Sequence, residues 1–461
     1  MYRKLTVLIL FFVFLIFFSV ITKAQVHINS INIEGNDKTK KYIILRELPY
    51  HAGDNVNKDS LSFFNNLSQQ QLFNTSLFLV AKVSAEYPLP KDSSIVNIHI
   101  QVQERWYFIP KPIFKWVDRN FSQWWNEQNH SLDRVNYGIN LSMKNATGNN
   151  DRLVLGFVAG YTQQNIIRYQ FPYLDKKLRY GMGIGWQNYK QKEINYTTEF
   201  DKQIFLKTIG MIREGYRANV DFLYRPNLFE HHSLQFGFGK DALSDSGFLM
   251  QPLFLPNHTN SFSYADVTLD FKKIKFDYNA YPTQGSATEF IAYQRFSSSA
   301  SLTSFQYRKI IAHSFSKQNF IFVESNSIVK FVPNFNYSDY RLLGYGNLQL
   351  NGLEYYVVDG NAASILKTSF HHLLGGFTVK NPIKTKFLTD FKYDFWIRFF
   401  TQLGYVYNDH SLNTNRLSNT LLRSVGVGLD IISIYDFVLK IDYSLNQLGD
   451  KGVYLHGGIN F

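Results

Sequence analysis

From residue 135 onward the chain alternates. Tyr137, Ile139, Leu141 and Met143 interleave with Gly138, Asn140 and Ser142, and Leu153, Leu155, Phe157 and Ala159 form the next apolar row. Tyr180, Met182, Ile184 and Trp186 alternate with Gly181, Gly183 and Gly185. Val425, Val427, Leu429 and Ile431 alternate with Gly426, Gly428 and Asp430, and Leu439, Ile441, Tyr443 and Leu445 with Lys440, Asp442 and Ser444. Successive side chains of a strand point to opposite faces, so a period of two gathers the apolar groups on one face. Gly, Asn and Asp turns separate the runs. The pattern predicts a mainly β fold of many short antiparallel strands. A soluble sandwich has the same period. Strands of about ten residues and aromatics at strand ends favour a transmembrane β-barrel, in which closure leaves no backbone group bare in lipid. At about 22 residues per strand and loop, residues 106–461 hold roughly 16 strands.

The first 105 residues read differently. Arg3 and Lys4 precede an apolar run from Leu5 to Ile21, and Thr22-Lys23-Ala24 offers small residues for a cut after Ala24. This predicts a secretory signal peptide over 1–24. Residues 25–105 predict a small β-α-α-β-β domain. Ile28 to Ile33 is extended and stops at Glu34-Gly35-Asn36. Lys38 to Leu48 and Asp59 to Gln71 are helical in pattern, and Leu77 to Glu86 and Ile95 to Gln103 are strands. In the last, Val96, Ile98, Ile100 and Val102 alternate with Asn97, His99, Gln101 and Gln103.

Composition narrows the function classes. The chain has no cysteine, which excludes a disulfide framework, a thiol nucleophile and a thiolate metal site. Its mean hydropathy is −0.21, and no run long enough for a spanning helix follows the leader. The formal charge is +12. Residues 25–105 are neutral, so the excess sits in the barrel, where lumen-facing or headgroup-facing cations account for it better than nucleic acid does. No G-x-S-x-G, phosphate loop or H-E-x-x-H occurs. His231-His232 and His371-His372 are adjacent, so on strands they face opposite ways and read as strand-end polar residues rather than metal ligands. The Gly181 to Gly185 run lies in an alternating strand with no helix after it, so it is not a dinucleotide fingerprint. The reading is not an enzyme, with no cofactor and no metal.

Specific motifs carry a resemblance. INIEGNDKTKKYIILREL, GDNVNKDSLSFFNNLSQQQLFNTSLF and VNIHIQVQER resemble a POTRA domain, the periplasmic module of the BamA/TamA outer-membrane assembly superfamily. The signature positions are Gly35 after the first strand, Leu72-Phe73 closing the second helix, and Glu104 ending the last strand. Tyr281-Pro282-Thr283-Gln284-Gly285-Ser286 resembles the hairpin that opens a strand of the bacterial surface antigen barrel of that superfamily. Asn351-Gly352-Leu353-Glu354, running on to Asp359-Gly360, resembles its sixth extracellular loop, which in the family folds into the lumen and pairs an Arg with acidic groups of the wall. Asn351 stands where that Arg is expected and Leu353 where an aromatic is. An amide does not replace a bidentate guanidinium, so the departure predicts a weakened loop-six lock, with Arg341 the alternative ten residues earlier. The end of the chain, Gly457-Gly458-Ile459-Asn460-Phe461, is similar to the signal by which barrels are themselves recognised for insertion, and lies at the expected lateral seam. Arg105-Trp106-Tyr107-Phe108-Ile109-Pro110-Lys111-Pro112 resembles the entry from domain to barrel.

The resemblance implies an outer-membrane protein of a Gram-negative bacterium, its POTRA domain in the periplasm. It implies insertion or translocation of polypeptide. Clients would be unfolded barrel or secreted polypeptides, and partners the outer-membrane lipid and periplasmic or lipoprotein components. Client segments would add to a strand edge within 77–86 or 28–33. One POTRA repeat predicts an accessory paralogue with few clients. A polypeptide or solute pore and a degenerate scaffold of the same fold are the alternatives.

Overall fold

The computed structural model describes residues 25–88, 94–117, 124–125, 129–252, 254–382, 387 and 390–457. The expected signal peptide and the terminal Gly458 and Phe461 lie outside them.

The N-terminal domain runs β1 (Gln25–Glu34), α1 (Lys41–Leu45), β2 (Asn55–Asn57), α2 (Lys58–Asn74), β3 (Phe78–Glu86) and β4 (Ile95–Glu104). Its sheet order is β2-β1-β4-β3, with β1 and β4 parallel. The alternation read in the last strand is real: Val96, Ile98 and Ile100 are buried against Ile28, Ile44 and Leu72. Asn57 caps α2 by accepting from the Asp59 amide. Gly35 turns with φ +83°, and a Cβ there would lie 1.9 Å from the Val102 carbonyl oxygen, so only glycine fits. One expectation needs correction: β2 was not read, because three residues carry too little pattern. The sheet order makes β3 an edge, and β1 meets β2 only from Gln25 to His27, so beyond Ile28 the second side of β1 also has no strand partner among the described residues.

The strands that follow are β5 (Phe108–Trp116), β6 (Val135–Lys144), β7 (Arg152–Gly160), β8 (Thr162–Phe171), β9 (Tyr180–Gln191), β10 (Glu193–Glu199), β11 (Lys202–Lys207), β12 (Arg213–Tyr224) and β13 (Glu230–Leu243). Then come β14 (Ser261–Phe276), β15 (Gly285–Phe296), β16 (Leu302–Ser316), β17 (Asn319–Phe331), β18 (Arg341–Leu343), β19 (Val358–Asp359) and β20 (Ala362–Val379). The chain closes with β21 (Phe391–Tyr407), β22 (Leu421–Ser433), β23 (Phe437–Asn446) and β24 (Lys451–Gly457). Sixteen of these form one antiparallel sheet that runs in sequence from β5 to β24, while β10–β11 and β18–β19 pair outside it. This is the barrel, at the expected strand number. Among the described residues β5 and β24 are not paired to each other.

The outer face is apolar. Tyr137, Ile139, Phe157, Ile184, Phe236 and Phe399 are exposed on it. The inner face is small or charged, with Arg217 of β12 donating across β13 to Asp266 of β14, and Arg308 of β16 donating to Glu324 of the neighbouring β17. The glycine row of β9 has its reason here. A Cβ on Gly185 would lie 2.5 Å from Asn219 Oδ1, and one on Gly183 3.0 Å from Asp221 Oδ2, so glycines make room for the polar side chains of β12. No described helix is long and apolar enough to cross a membrane.

Candidate functional site

The site is the barrel interior together with what covers its two ends. Loop six, residues 332–361, turns inward between β17 and β20. At its deepest point Asn351 Nδ2 donates to Asp442 Oδ2 (2.5 Å). Asn351 and Gln402 exchange two further hydrogen bonds, from the Asn351 amide to Gln402 Oε1 (2.9 Å) and from Gln402 Nε2 to Asn351 Oδ1 (3.0 Å). Gly352 has φ +88° and packs against Ser424 and Ser444, its carbonyl accepting from Asn446 Nδ2 (2.8 Å). Glu354 accepts from the Gly352 amide and faces His456 of β24 at 3.3 Å. Tyr356 donates to Asp450 (2.6 Å). Leu353, in place of an aromatic, is buried beside Leu350 and Leu422. Loop six is thus fastened to β21 through β24.

The expected weakness at Asn351 is therefore corrected. The guanidinium comes from the wall. Arg398 of β21 donates through Nη2 to Asp442 Oδ1 (2.6 Å) and through Nε to both oxygens of Asp430 (3.2 Å). Both carboxylates are fully buried. Arg341 does not substitute. Its guanidinium lies over the Tyr337 ring and donates to the Asn195 carbonyl.

The hairpin motif reaches the same cluster from the opposite end. Tyr281 donates to Asp430 Oδ2 (2.9 Å), and its hydroxyl lies 2.8 Å from His371 Nδ1. His371 Nε2 is 2.8 Å from Ser369 Oγ. His371 is consequently a buried lumen group, not a strand-end polar residue, whereas His372 does face the other way, bonded to Asn319. Pro282 lies in the turn, and Gly285 has φ +116° where a Cβ would meet the Lys275 carbonyl at 1.9 Å. A cavity of about 560 Å³ lies beside this cluster, lined by Arg398, Asp442, Lys367 and Asn351.

The far rim is covered by loops. At the tip of the β10–β11 hairpin the Asp201 carboxylate accepts from the Arg416 and Leu417 amides (3.0 Å each), and its carbonyl accepts from Val357 N (2.9 Å). Burial raises the Asp201 pKa, and these two amide bonds only partly offset it. Thr198, Tyr337 and Tyr345 join hydroxyl to hydroxyl nearby. Gly360 sits 2.3 Å, by its would-be Cβ, from the Tyr407 carbonyl, and burial raises the pKa of its neighbour Asp359.

The near rim is covered by the N-terminal domain, which touches the turns after β6, β8, β12, β14 and β22. Glu47 accepts two bonds from Arg225 (2.5 and 2.7 Å). Arg105 makes a bidentate pair with Asp436 (2.6 and 2.9 Å). Burial works to raise Asp436, but the hydrogen bonds and charge of Arg105 outweigh it and hold the carboxyl below its usual range. The signature residues divide in role. Gly35 and Leu72 serve the domain's own fold. Glu104 accepts from the Lys38 and Thr39 amides and the Thr39 hydroxyl. Phe73 instead leaves the domain core and packs on Tyr278 (5.4 Å) and under Arg105 (5.5 Å). Between domain and barrel lies a cavity of about 640 Å³. Its acids are engaged by Arg105, Arg225 and Lys272, while Lys111, Lys144, Arg152 and Arg179 line it without a carboxylate partner among the described residues. Among the described residues no cluster of His, Asp and Glu is placed to hold a metal ion.

Arg398, Arg225 and Glu47 escaped sequence reasoning. Asp430 and Asp442 were visible as inward charges, and Arg398 shares that signal as the one cation in Phe395-Trp396-Ile397-Arg398-Phe399-Phe400. Its partners lie 32 and 44 residues away, which no local pattern reveals.

Residues 26–105 match the family model described as POTRA, surface antigen variable number repeat. No curated protein sequence matches the chain. Among solved structures it is similar to CdiB from Escherichia coli, with a TM-score of 0.51 at 10% identity, covering 94% of this chain and 74% of that one. BamA from Haemophilus ducreyi lacking POTRA domains 1–3 aligns over 94% of this chain and 83% of its own, with a TM-score of 0.48 at 13% identity. CdiB from Acinetobacter baumannii aligns over 93% and 73%, with 0.48 at 14%. A domain that matches the POTRA family model is docked beneath a sixteen-stranded sheet, and the fold is similar to that of CdiB from Escherichia coli.

Proposed function

We propose that this protein assembles or translocates polypeptides at the outer membrane, with its POTRA domain in the periplasm and few clients. The observation that carries the reading is the boundary between β5 and β24, unpaired among the described residues, with loop six fastened along the β24 side. A sheet that ends inside a membrane leaves backbone groups for another strand to satisfy. The POTRA family match and the similar fold of CdiB from Escherichia coli support a role of this kind. Client segments would first add to the β3 edge of the POTRA domain. No step needs covalent chemistry. The test is quantitative proteomics of isolated outer membranes before and after depletion. Loss of one or a few barrel or secreted proteins is expected. Loss of most barrel proteins overturns the narrow client range, and no change overturns assembly.

The cation-lined cavity beneath the barrel favours a second reading, a pore for anionic polypeptide or solute. Anion-selective conductance in planar bilayers, without any change of outer-membrane proteins on depletion, would establish it in place of the first.

A further inference from the structure

The outer wall carries cations on the side away from the seam. On β13 to β17 the outward face is marked by the exposed Phe236, Phe271, Phe290, Tyr307 and Phe331. Alternation puts Lys273 and Lys275 of β14 and Lys309 of β16 on that same face. The ladders set Lys273, Thr288 and Lys309 in one row across β14, β15 and β16. Among the described outward positions of these five strands Glu230 is the one carboxylate, and it accepts from Lys273 (2.8 Å). Lys309 instead donates to the Thr288 hydroxyl (2.7 Å), and Lys275 lies 5.0 Å over the Phe229 ring. Neither of these two has a carboxylate partner among the described residues.

The row sits toward the end of the barrel that meets the POTRA domain. The carbonyl of Phe276, the last residue of β14, accepts from Asn74 of that domain (3.1 Å), and Lys273 lies just before it. Thr288 follows closely on Gly285, the first residue of β15. One outward position nearer the middle of the barrel, Phe271, Phe290 and Tyr307 are cross-strand neighbours, and Phe290 stacks on Phe305 (6.3 Å). A polar, cationic row thus borders an aromatic one. A charge on the lipid face of a barrel is costly unless a headgroup or a counter-charge meets it. The protein supplies Lys309 with a hydroxyl alone, so the counter-charge must come from outside the chain.

We infer that the outer face of β14 to β16 is a binding site for an anionic phospholipid of the periplasmic leaflet. Lys309 and Lys273 hold its phosphate, and its acyl chains lie on Phe271, Phe290 and Tyr307. Charge complementarity selects an anionic lipid, because three ammonium groups face one carboxylate. The end of the barrel selects the leaflet, because the row lies beside the docked POTRA domain. β15 stands eighth of sixteen from the β24 edge, so the site lies across the barrel from the open boundary of β5 and β24. It rests on the barrel spanning the membrane with its POTRA domain in the periplasm, and not on what the protein assembles.

The test is native mass spectrometry of the full-length chain released from detergent micelles, with phosphatidylglycerol or phosphatidylcholine added. Phosphatidylglycerol is expected to stay bound under conditions that strip phosphatidylcholine. Lys273→Gln with Lys309→Gln should weaken its retention about tenfold, as the loss of a hydrogen bond to a charged group requires. Lys273→Arg with Lys309→Arg should keep it. Lys190→Gln, outward on β9 but at the other end of the barrel, should leave it unchanged. Equal retention of the two lipids by the unchanged chain overturns the proposal, and so does full retention in the double glutamine variant. Displacement by inorganic phosphate also overturns it, since a free oxyanion would then be the occupant. If the double glutamine variant fails to fold, Lys309→Gln alone and the comparison of lipids in the unchanged chain decide. Proteomics after depletion can fail independently of this result.

Discussion

Asn351 and Arg398 share one carboxylate: the amide of loop six donates to one oxygen of Asp442 and the guanidinium of β21 to the other. The loop is thus locked without carrying a charge. A neutral anchor leaves no buried cation behind when it withdraws, whereas Arg398 stays with Asp430 throughout.

Arg398→Met is expected to be the most damaging single change in the lumen. It strips two buried carboxylates of their shared guanidinium, at a cost of about 3–5 kcal/mol. The folded, cold-SDS-resistant band should be lost at lower temperature. Asn351→Ala should leave that band almost unchanged and raise protease cleavage within loop six. Equal effects of the two on the band would contradict the division of labour.

Gly285→Ala forces a side chain onto the Lys275 carbonyl at a backbone angle that L residues avoid. Together these cost more than about 1 kcal/mol. Folding yield should fall, while Gly449→Ala in an open turn with similar φ should cost only the backbone part.

The two caps should answer acid in opposite senses. Asp436 has a lowered folded pKa. Its contribution to POTRA docking is present above the ordinary carboxylate range and is lost as pH falls through the lowered value. Asp201 has a raised folded pKa. Its contribution is full below the ordinary range and declines as pH rises through the raised value. Site-specific spin labels on the POTRA domain and on the β10–β11 hairpin should show the near cap loosening in acid while the far cap does not. Asp436→Asn should abolish the first response and Asp201→Asn the second.

Glu47→Gln with Arg105→Gln should free the POTRA domain from the rim, seen as faster amide exchange in the turns after β12 and β22. Glu47→Gln alone leaves Arg225 partly satisfied by Tyr173 and the Leu228 carbonyl, so its effect should be smaller. An unchanged exchange pattern in the double variant would show that the apolar contact of Phe73 suffices.

The fold was legible wherever one period held for several residues. Val96, Ile98 and Ile100 announced their strand, as did the glycine row of β9 and the run from Val425 to Ile431. The three-residue β2 and the short pairs β18 and β19 were not legible, because so few residues cannot show a period. The site was half legible. Gly285 and Gly352 stood out because each conformation demands glycine. Asn351 stood out as a departure, and its compensation by Arg398 did not, since that arginine is assigned only by strands that meet in space. Glu47 and Arg225 were invisible for the same reason: they are 178 residues apart and join two domains.

Among its contacts with the rim, the POTRA domain holds two separated turns by ion pairs, through Arg225 after β12 and Asp436 after β22. A rigid body tied to a ring at separated places shares its free energy with the ring's circumference. If the seam widens, the distance between those turns changes and one tie is strained. By reciprocity, a peptide that lifts the domain off either turn lowers the work of widening the seam by the same amount that a widened seam favours the peptide. Recognition in the periplasm and opening within the bilayer are then one equilibrium seen from two sides.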